Sequence, residues 1–150
     1  MSLTHINNIK PNAISPNIYS GESLFFTLVT EQRRKLFIDD TNVELLYQAF
    51  RHVMKKRHFA IDAIVVLPEH LHGIWTLPPN DADFSTRWRL IKTGFTKHCD
   101  NKYKVTPKWQ HRYWEHLLRD ELDFEHHINY IHYNPVKHDY VNKPLSSLNN

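Results

Sequence analysis

Glycine is scarce, with three in 150 residues. That excludes a GxGxxG or Walker-type phosphate loop, which needs several glycines within a few positions to lay backbone N–H groups against a phosphate. Cysteine is scarcer still: Cys99 stands alone, so no intrachain disulfide and no cysteine-based zinc site is possible. That usage fits a reducing cytoplasm. No apolar run approaches the roughly 20 residues that cross a bilayer. The first twenty residues are polar, contain Pro11 and Pro16, and read as an extended arm rather than a signal peptide. A membrane partner is not expected.

The composition itself is that of a folded chain, 41% hydrophobic and 13% aromatic. Its length suits one domain with a real core, divided here into an arm over 1–22, a domain over 23–141 and a tail over 142–150. A formal charge of +3 permits a nucleic-acid partner without demanding one. The distribution of charge says more. Basic residues gather in Arg33-Arg34-Lys35, Lys55-Lys56-Arg57, the stretch from Arg87 to Lys97, and Lys102, Lys104 and Lys108, interleaved with Trp88, Phe95, Tyr103 and Trp109. Such clusters hold phosphates while bases stack on exposed rings. Taken singly, each is more often an ordinary solvated face, with Trp88 and Phe95 in the core. The candidates for phosphate contact are Arg33, Arg34, Arg87, Arg89, Lys92, Arg112 and Lys137.

Residues 23–30, Ser-Leu-Phe-Phe-Thr-Leu-Val-Thr, are rich in strand formers. Thr41 with Glu44 three residues on has the form of a capping box. Val43, Leu46, Tyr47, Phe50, Val53 and Met54 then follow helical spacing, and Lys55-Lys56-Arg57 places cations at the helix end. Phe59 to Leu67 and His70 to about Leu77 read as two strands of a hairpin broken by Pro68-Glu69. Phe84, Trp88, Ile91 and Phe95 mark a second helix ending near Cys99. A basic loop over 101–107 leads to a fourth strand from Lys108 to about Leu118. Asp120 caps a third helix whose buried stripe is Phe124, Ile128 and Ile131, stopped at Asn134-Pro135. The order β-α-β-β-α-β plus a helix is an α+β, ferredoxin-like antiparallel sheet, a fold that many functions share.

Chemistry concentrates in Pro68-Glu69-His70-Leu71-His72-Gly73. Alternate strand residues share a face, so His70 and His72 project together while Leu71 points away. Two neutral imidazoles make half of a metal chelate and leave positions open for substrate. With 12 His in the chain, about one His-x-His is expected by chance, so the pair alone is a weak signal. On the third helix, His127, Tyr130 and Asn134 fall within an arc of about 60°, beside the apolar stripe. A phenol, with its pKa near 10, attacks a phosphodiester at neutral pH only when a base or cation favours the phenolate. A cation on His70 and His72 would do so, Tyr130 would attack in line, and Asn134 would offer a carbonyl oxygen as third ligand. Glu69, beside the pair, could serve as a ligand or base, but as a turn residue it reads as solvated. The product would be a phosphotyrosine on one DNA end and a free hydroxyl on the other.

These residues are matched by a known family. The chain resembles the REP-associated tyrosine transposases, single-tyrosine members of the HUH class, through "FFTLVTEQRR", "VVLPEHLHGIWTLP", "DFSTRWRLIK" and "WQHRYWEHLLRDELDFEHHINYIHYNPVKHDYV", in that order, from about Phe25 to Val141. The resemblance implies that His70 and His72 bind Mg²⁺ or Mn²⁺, that Tyr130 rather than Tyr133 is the nucleophile, and that Asn134 is a ligand. It also implies cleavage and rejoining, through a 5′-phosphotyrosine, of single-stranded DNA near hairpins formed by repetitive extragenic palindromes. Two departures stand out: Gly21-Glu22 replaces the family's Gly-Gly step, and the C-terminal extension of relatives is abbreviated. The sequence leaves monomer and homodimer equally open.

Two other classes compete. A noncatalytic ferredoxin-like nucleic-acid-binding module would use Phe25-Phe26 as a stacking platform, and a hydrolase would use a zinc ion on the His pair to activate water.

Overall fold

The computed structural model describes residues 5–7, 21–103 and 109–137, with side chains for all of these but 5–7, 100–103 and 134–137. The elements in chain order are β1 His5–Asn7, β2 Ser23–Val29, α1 Asp40–Lys56, β3 Ala60–Val66, β4 His70–Thr76, α2 Phe84–Tyr103, β5 Trp114–Leu117 and α3 Glu121–Lys137, with two 3-10 turns between β2 and α1. From β2 onward this is the expected βαββαβα order. The sheet runs β1-β3-β4-β2-β5 with every pairing antiparallel. Within the stretch read as an arm, His5–Asn7 pair with Val66 to Ile64 as a short edge strand. Residues 8–20 and the tail over 142–150 lie outside the described residues.

Alternation along β2 decides which face each side chain serves. Leu24, Phe26 and Leu28 enter the larger core with α1 and α2, whereas Phe25 faces the other way, toward α3. Strand β4 follows the same rule: Leu71, Trp75 and Leu77 face the first two helices, and Ile74 packs under α3. Because β4 is central, paired along its length by β2 and β3, its side chains are held at fixed heights on both flanks. Gly73 serves close packing there, since a Cβ on it would stand 2.6 Å from Cζ of Phe26. The ring of Phe26 fills that gap and meets Trp75 and Trp88 at 4.9 and 4.6 Å between centroids. Truncating an aromatic buried this completely typically costs about 3–5 kcal/mol.

Several boundaries differ from those expected. The N-cap of α1 is Asp39, whose Oδ1 accepts from Thr41 N at 2.8 Å, while Thr41 is already helical and Glu44 pairs with Arg51 instead. A carboxylate is the better partner for orphan amides at a positive helix end. Helix α2 runs past Cys99 to Tyr103. Helix α3 continues through Pro135 to Lys137, because a proline in the last turn removes only one backbone bond. The long fourth strand is reduced to four residues plus an isolated bridge between Thr30 and Trp109, where Gln110 N still donates to Val29 O at 2.8 Å, since the segment at 111–113 leaves the ladder. The Asp120 cap is present, accepting from Asp123 N at 2.8 Å.

Arg87 is corrected from a phosphate contact to an interior brace. It is 3% exposed, bonds both oxygens of Asp81 at 2.9 and 3.2 Å, and donates to the carbonyls of His58, Asp83 and Arg57. That knot ties the start of α2 to the connection between α1 and β3. Its hydrogen bond chiefly holds the Asp81 carboxyl below the ordinary carboxylate range. The stabilisation is therefore complete above that range and is lost as pH falls through the depressed value. Arg87→Met leaves buried carbonyls unpartnered and is expected to cost about 3 kcal/mol, with a weaker acid-side dependence. Urea unfolding at neutral and acid pH measures both, and an unshifted midpoint contradicts the bracing role. Buried Cys99 has its thiol pushed up to about 11 by burial and by Asp39, which keeps it protonated and unreactive. Among the described residues no helix is long and apolar enough to cross a membrane.

Candidate active site

His70 and His72 lie on the α3 side of the sheet, with ring centroids 4.9 Å apart. Each is oriented through Nδ1. In His70 that nitrogen lies 3.0 Å from Oε1 of Glu69; a carboxylate oxygen accepts there, so Nδ1 is the donor and Nε2 is the ring nitrogen that points elsewhere. In His72 it meets the Thr27 hydroxyl at 2.7 Å, across the β2–β4 ladder where the two residues are direct partners. The arrangement fits a divalent ion, since both rings are turned by neighbours of the kind that fix metal-binding tautomers. Glu69 is thus corrected from a solvated turn residue to a half-buried partner of His70, with Arg33 3.9 Å away.

Helix α3 brings the phenol to this face. Ile131 is fully buried among Phe25, Ala63, Val65, Leu67 and Ile74, with Phe124 and Ile128 half-buried beside it, so the stripe read from the sequence is the docking face. The Tyr130 ring stands 5.3 Å from His72 and 5.9 Å from Phe25 and is 40% exposed. A cleft of about 490 Å³ opens there, lined by Phe25, Thr27, Trp114, His126, His127 and Tyr130. The side chain of Asn134 lies outside the described residues, as does that of Lys137.

A second cluster borders the cleft that sequence reasoning did not find. Asp123 Oδ2 meets His116 Nε2 at 2.9 Å and accepts from Arg119 N at 3.1 Å. Nδ1 of His127 donates to the main-chain oxygen of Asp123 at 2.8 Å. The Arg119 amide foremost, then His116, holds the Asp123 carboxyl below its ordinary range. Ligating atoms of His116, Asp123 and His127 lie within 4.8 Å of one another, close enough to share a cation. The three come from β5 and two turns of α3, so only the packing of those elements reveals the set.

The remaining basic candidates separate by face. Helix α2 packs on the opposite side of the sheet from Tyr130, so Arg89, though exposed, is not part of the Tyr130 cleft. Nor is Lys92, half-buried over the Tyr113 ring at 5.1 Å with its ammonium pushed down by burial. Arg33, Arg34 and Arg112 are exposed. Phe25 and Phe26 are buried at 4% and 0% exposure, which removes the stacking platform of the binding-module reading.

Comparison with known proteins agrees on one family. The profile described as "Transposase IS200 like" matches residues 21–134. A REP-associated tyrosine transposase of Escherichia coli (strain K12) is 47% identical over 121 residues, covering 81% of this chain and 70% of its own. A Haemophilus influenzae protein is 38% identical over 131 residues, covering 81% and 74% respectively. The solved structure of a REP-associated tyrosine transposase bound to a REP hairpin superposes with a TM-score of 0.74 at 42% identity, over 88% of this chain and 77% of that one.

Proposed function

Because this chain belongs to the REP-associated tyrosine transposases, within the IS200-like transposase family, we propose that it cuts and rejoins single-stranded DNA at REP-type hairpins through a 5′-phosphotyrosine. The observation that carries the reading is the Tyr130 ring 5.3 Å from His72, on the face where the two imidazoles project. Oη of Tyr130 gives up its proton and attacks the scissile phosphorus, the bond to the 3′ oxygen breaks, and that oxygen takes up a proton and leaves as a hydroxyl. The energy of the ester is kept in the phosphotyrosine, so the reverse attack by a 3′ hydroxyl rejoins the strand.

His70 and His72, each through Nε2, with Asn134 as third ligand, would hold the ion, Mg²⁺ or Mn²⁺. That ion supplies Lewis acidity at a phosphate oxygen and offsets charge that develops there. Glu69 and Thr27 fix the two rings, so no rotamer search is left for the moment of binding. Exposed Arg33, beside Glu69, and Arg112 offer phosphate contacts along the strand.

The deciding experiment uses labelled, hairpin-bearing single-stranded DNA with Mn²⁺, followed by denaturation. A covalent adduct supports the proposal, whereas cleavage without attachment indicates a water-activating hydrolase and binding alone a recognition module. A further test addresses ring orientation. Thr27→Val keeps the shape and removes the hydroxyl, and is expected to weaken Mn²⁺ binding about 10–100-fold with no loss of fold. Calorimetric titration reads this directly, and wild-type affinity would show that Thr27 does not orient His72.

A further inference from the structure

Trp114 is the most exposed of the four tryptophans. Trp75 and Trp88 are fully buried and Trp109 is partly buried against the core, yet Trp114 is 56% exposed. It sits on β5 opposite Thr27, which in turn sits opposite His72 on β4, so the three form one row across the sheet. Two interstrand spacings of about 4.8 Å put Trp114 roughly 10 Å from His72. The indole lies nearly parallel to the His116 ring, 5.9 Å away at 11°, and meets the edge of Phe25 at 5.7 Å. His116 is itself pinned by Asp123 at 2.9 Å. One side of the indole is thus backed by an anchored ring, and the exposed remainder opens on the cleft shared with Tyr130 and His127.

We propose that Trp114 is a nucleobase-binding subsite, on which an unpaired base flanking the attacked phosphate stacks. The inference rests on the single-strand DNA reading above and adds to it a residue and a ligand class. A fixed aromatic plane next to a phosphodiester site suits a planar, uncharged ligand, since every base presents a π-face. Continuity with the Tyr130 cleft fixes the occupant as part of the same strand. Arg112 and Arg119, close to Trp114 in sequence, are exposed and carry the charge that a phosphate backbone needs.

The test measures binding in a Tyr130→Phe background, so that no covalent capture intervenes. Fluorescence anisotropy follows a REP-type hairpin with single-stranded flanks, in which one abasic site is walked through the nucleotides around the cleavage position. Trp114→Ala is expected to weaken binding tens-fold, a size typical of one lost base stack, and Trp114→Phe to restore most of it. At one position the abasic substitution should cost as much in the parent and nothing in Trp114→Ala. Additive losses at every position, or unchanged binding by Trp114→Ala with its circular dichroism intact, overturn the subsite. If the Tyr130→Phe parent fails to bind the DNA at all, both readings fall; if the protein with Tyr130 intact forms no adduct on the same DNA but the base and Trp114 remain coupled, only the nuclease reading falls.

Discussion

Tyr130→Phe eliminates the denaturation-resistant DNA adduct and lowers cleavage by on the order of 10⁴-fold or more, the scale of losing a nucleophile outright, while single-strand binding is retained. Only the hydroxyl is removed. The ring keeps its contacts with His72 and Phe25, and Ile131 next to it still anchors the helix. Tyr133, 53% exposed and three residues further along the same helix, is the natural control. Tyr133→Phe should form adduct at the parental rate. An adduct that persists in Tyr130→Phe and vanishes in Tyr133→Phe would transfer the nucleophile to the second phenol, and one that persists in both variants would remove tyrosine chemistry from α3 altogether.

The paired substitution His70→Ala with His72→Ala is expected to lose metal-stimulated cleavage by about 10³-fold or more, since several kcal/mol of transition-state stabilisation goes with the ion. His72 is 6% exposed, so its removal also opens space beside Phe25 and destabilises the domain. His70→Ala alone guards against that confusion, because His70 is half-buried at the strand entry. It should bind Mn²⁺ more weakly with an unchanged melting temperature, and excess Mn²⁺ should restore part of its activity. Full cleavage by the double variant at trace metal would refute the paired imidazoles as the ion's seat.

Much of this was legible in the chain because the signals are local. Strand alternation placed His70 and His72 on one face, and helical spacing identified Phe124, Ile128 and Ile131 as the stripe that seats α3; both arrangements are present. What failed depended on competition or on distance. Thr41 fits an N-cap by composition, but the backbone geometry gives that place to Asp39. Arg87 looks like one more cation in a basic run until the carbonyls of Arg57 and His58 close around it. Thr27 carries no sequence mark at all: its role comes from being opposite His72 in a ladder whose register the sequence does not state. The Asp123 cluster is hidden for the same reason, since His116 arrives from another element.

The borders of the sheet bear on how copies of this chain treat one another. An uncovered strand offers its amides and carbonyls as a template for adding a neighbour's strand, a route to aggregation. Here His5–Asn7 overlay the last three residues of the β3 margin, Ile64 to Val66, and the opposite margin, β5, has only four residues in register. Among the described residues neither rim leaves more than four consecutive strand residues unpaired on its outer side, so polymerisation by strand addition has little to grip.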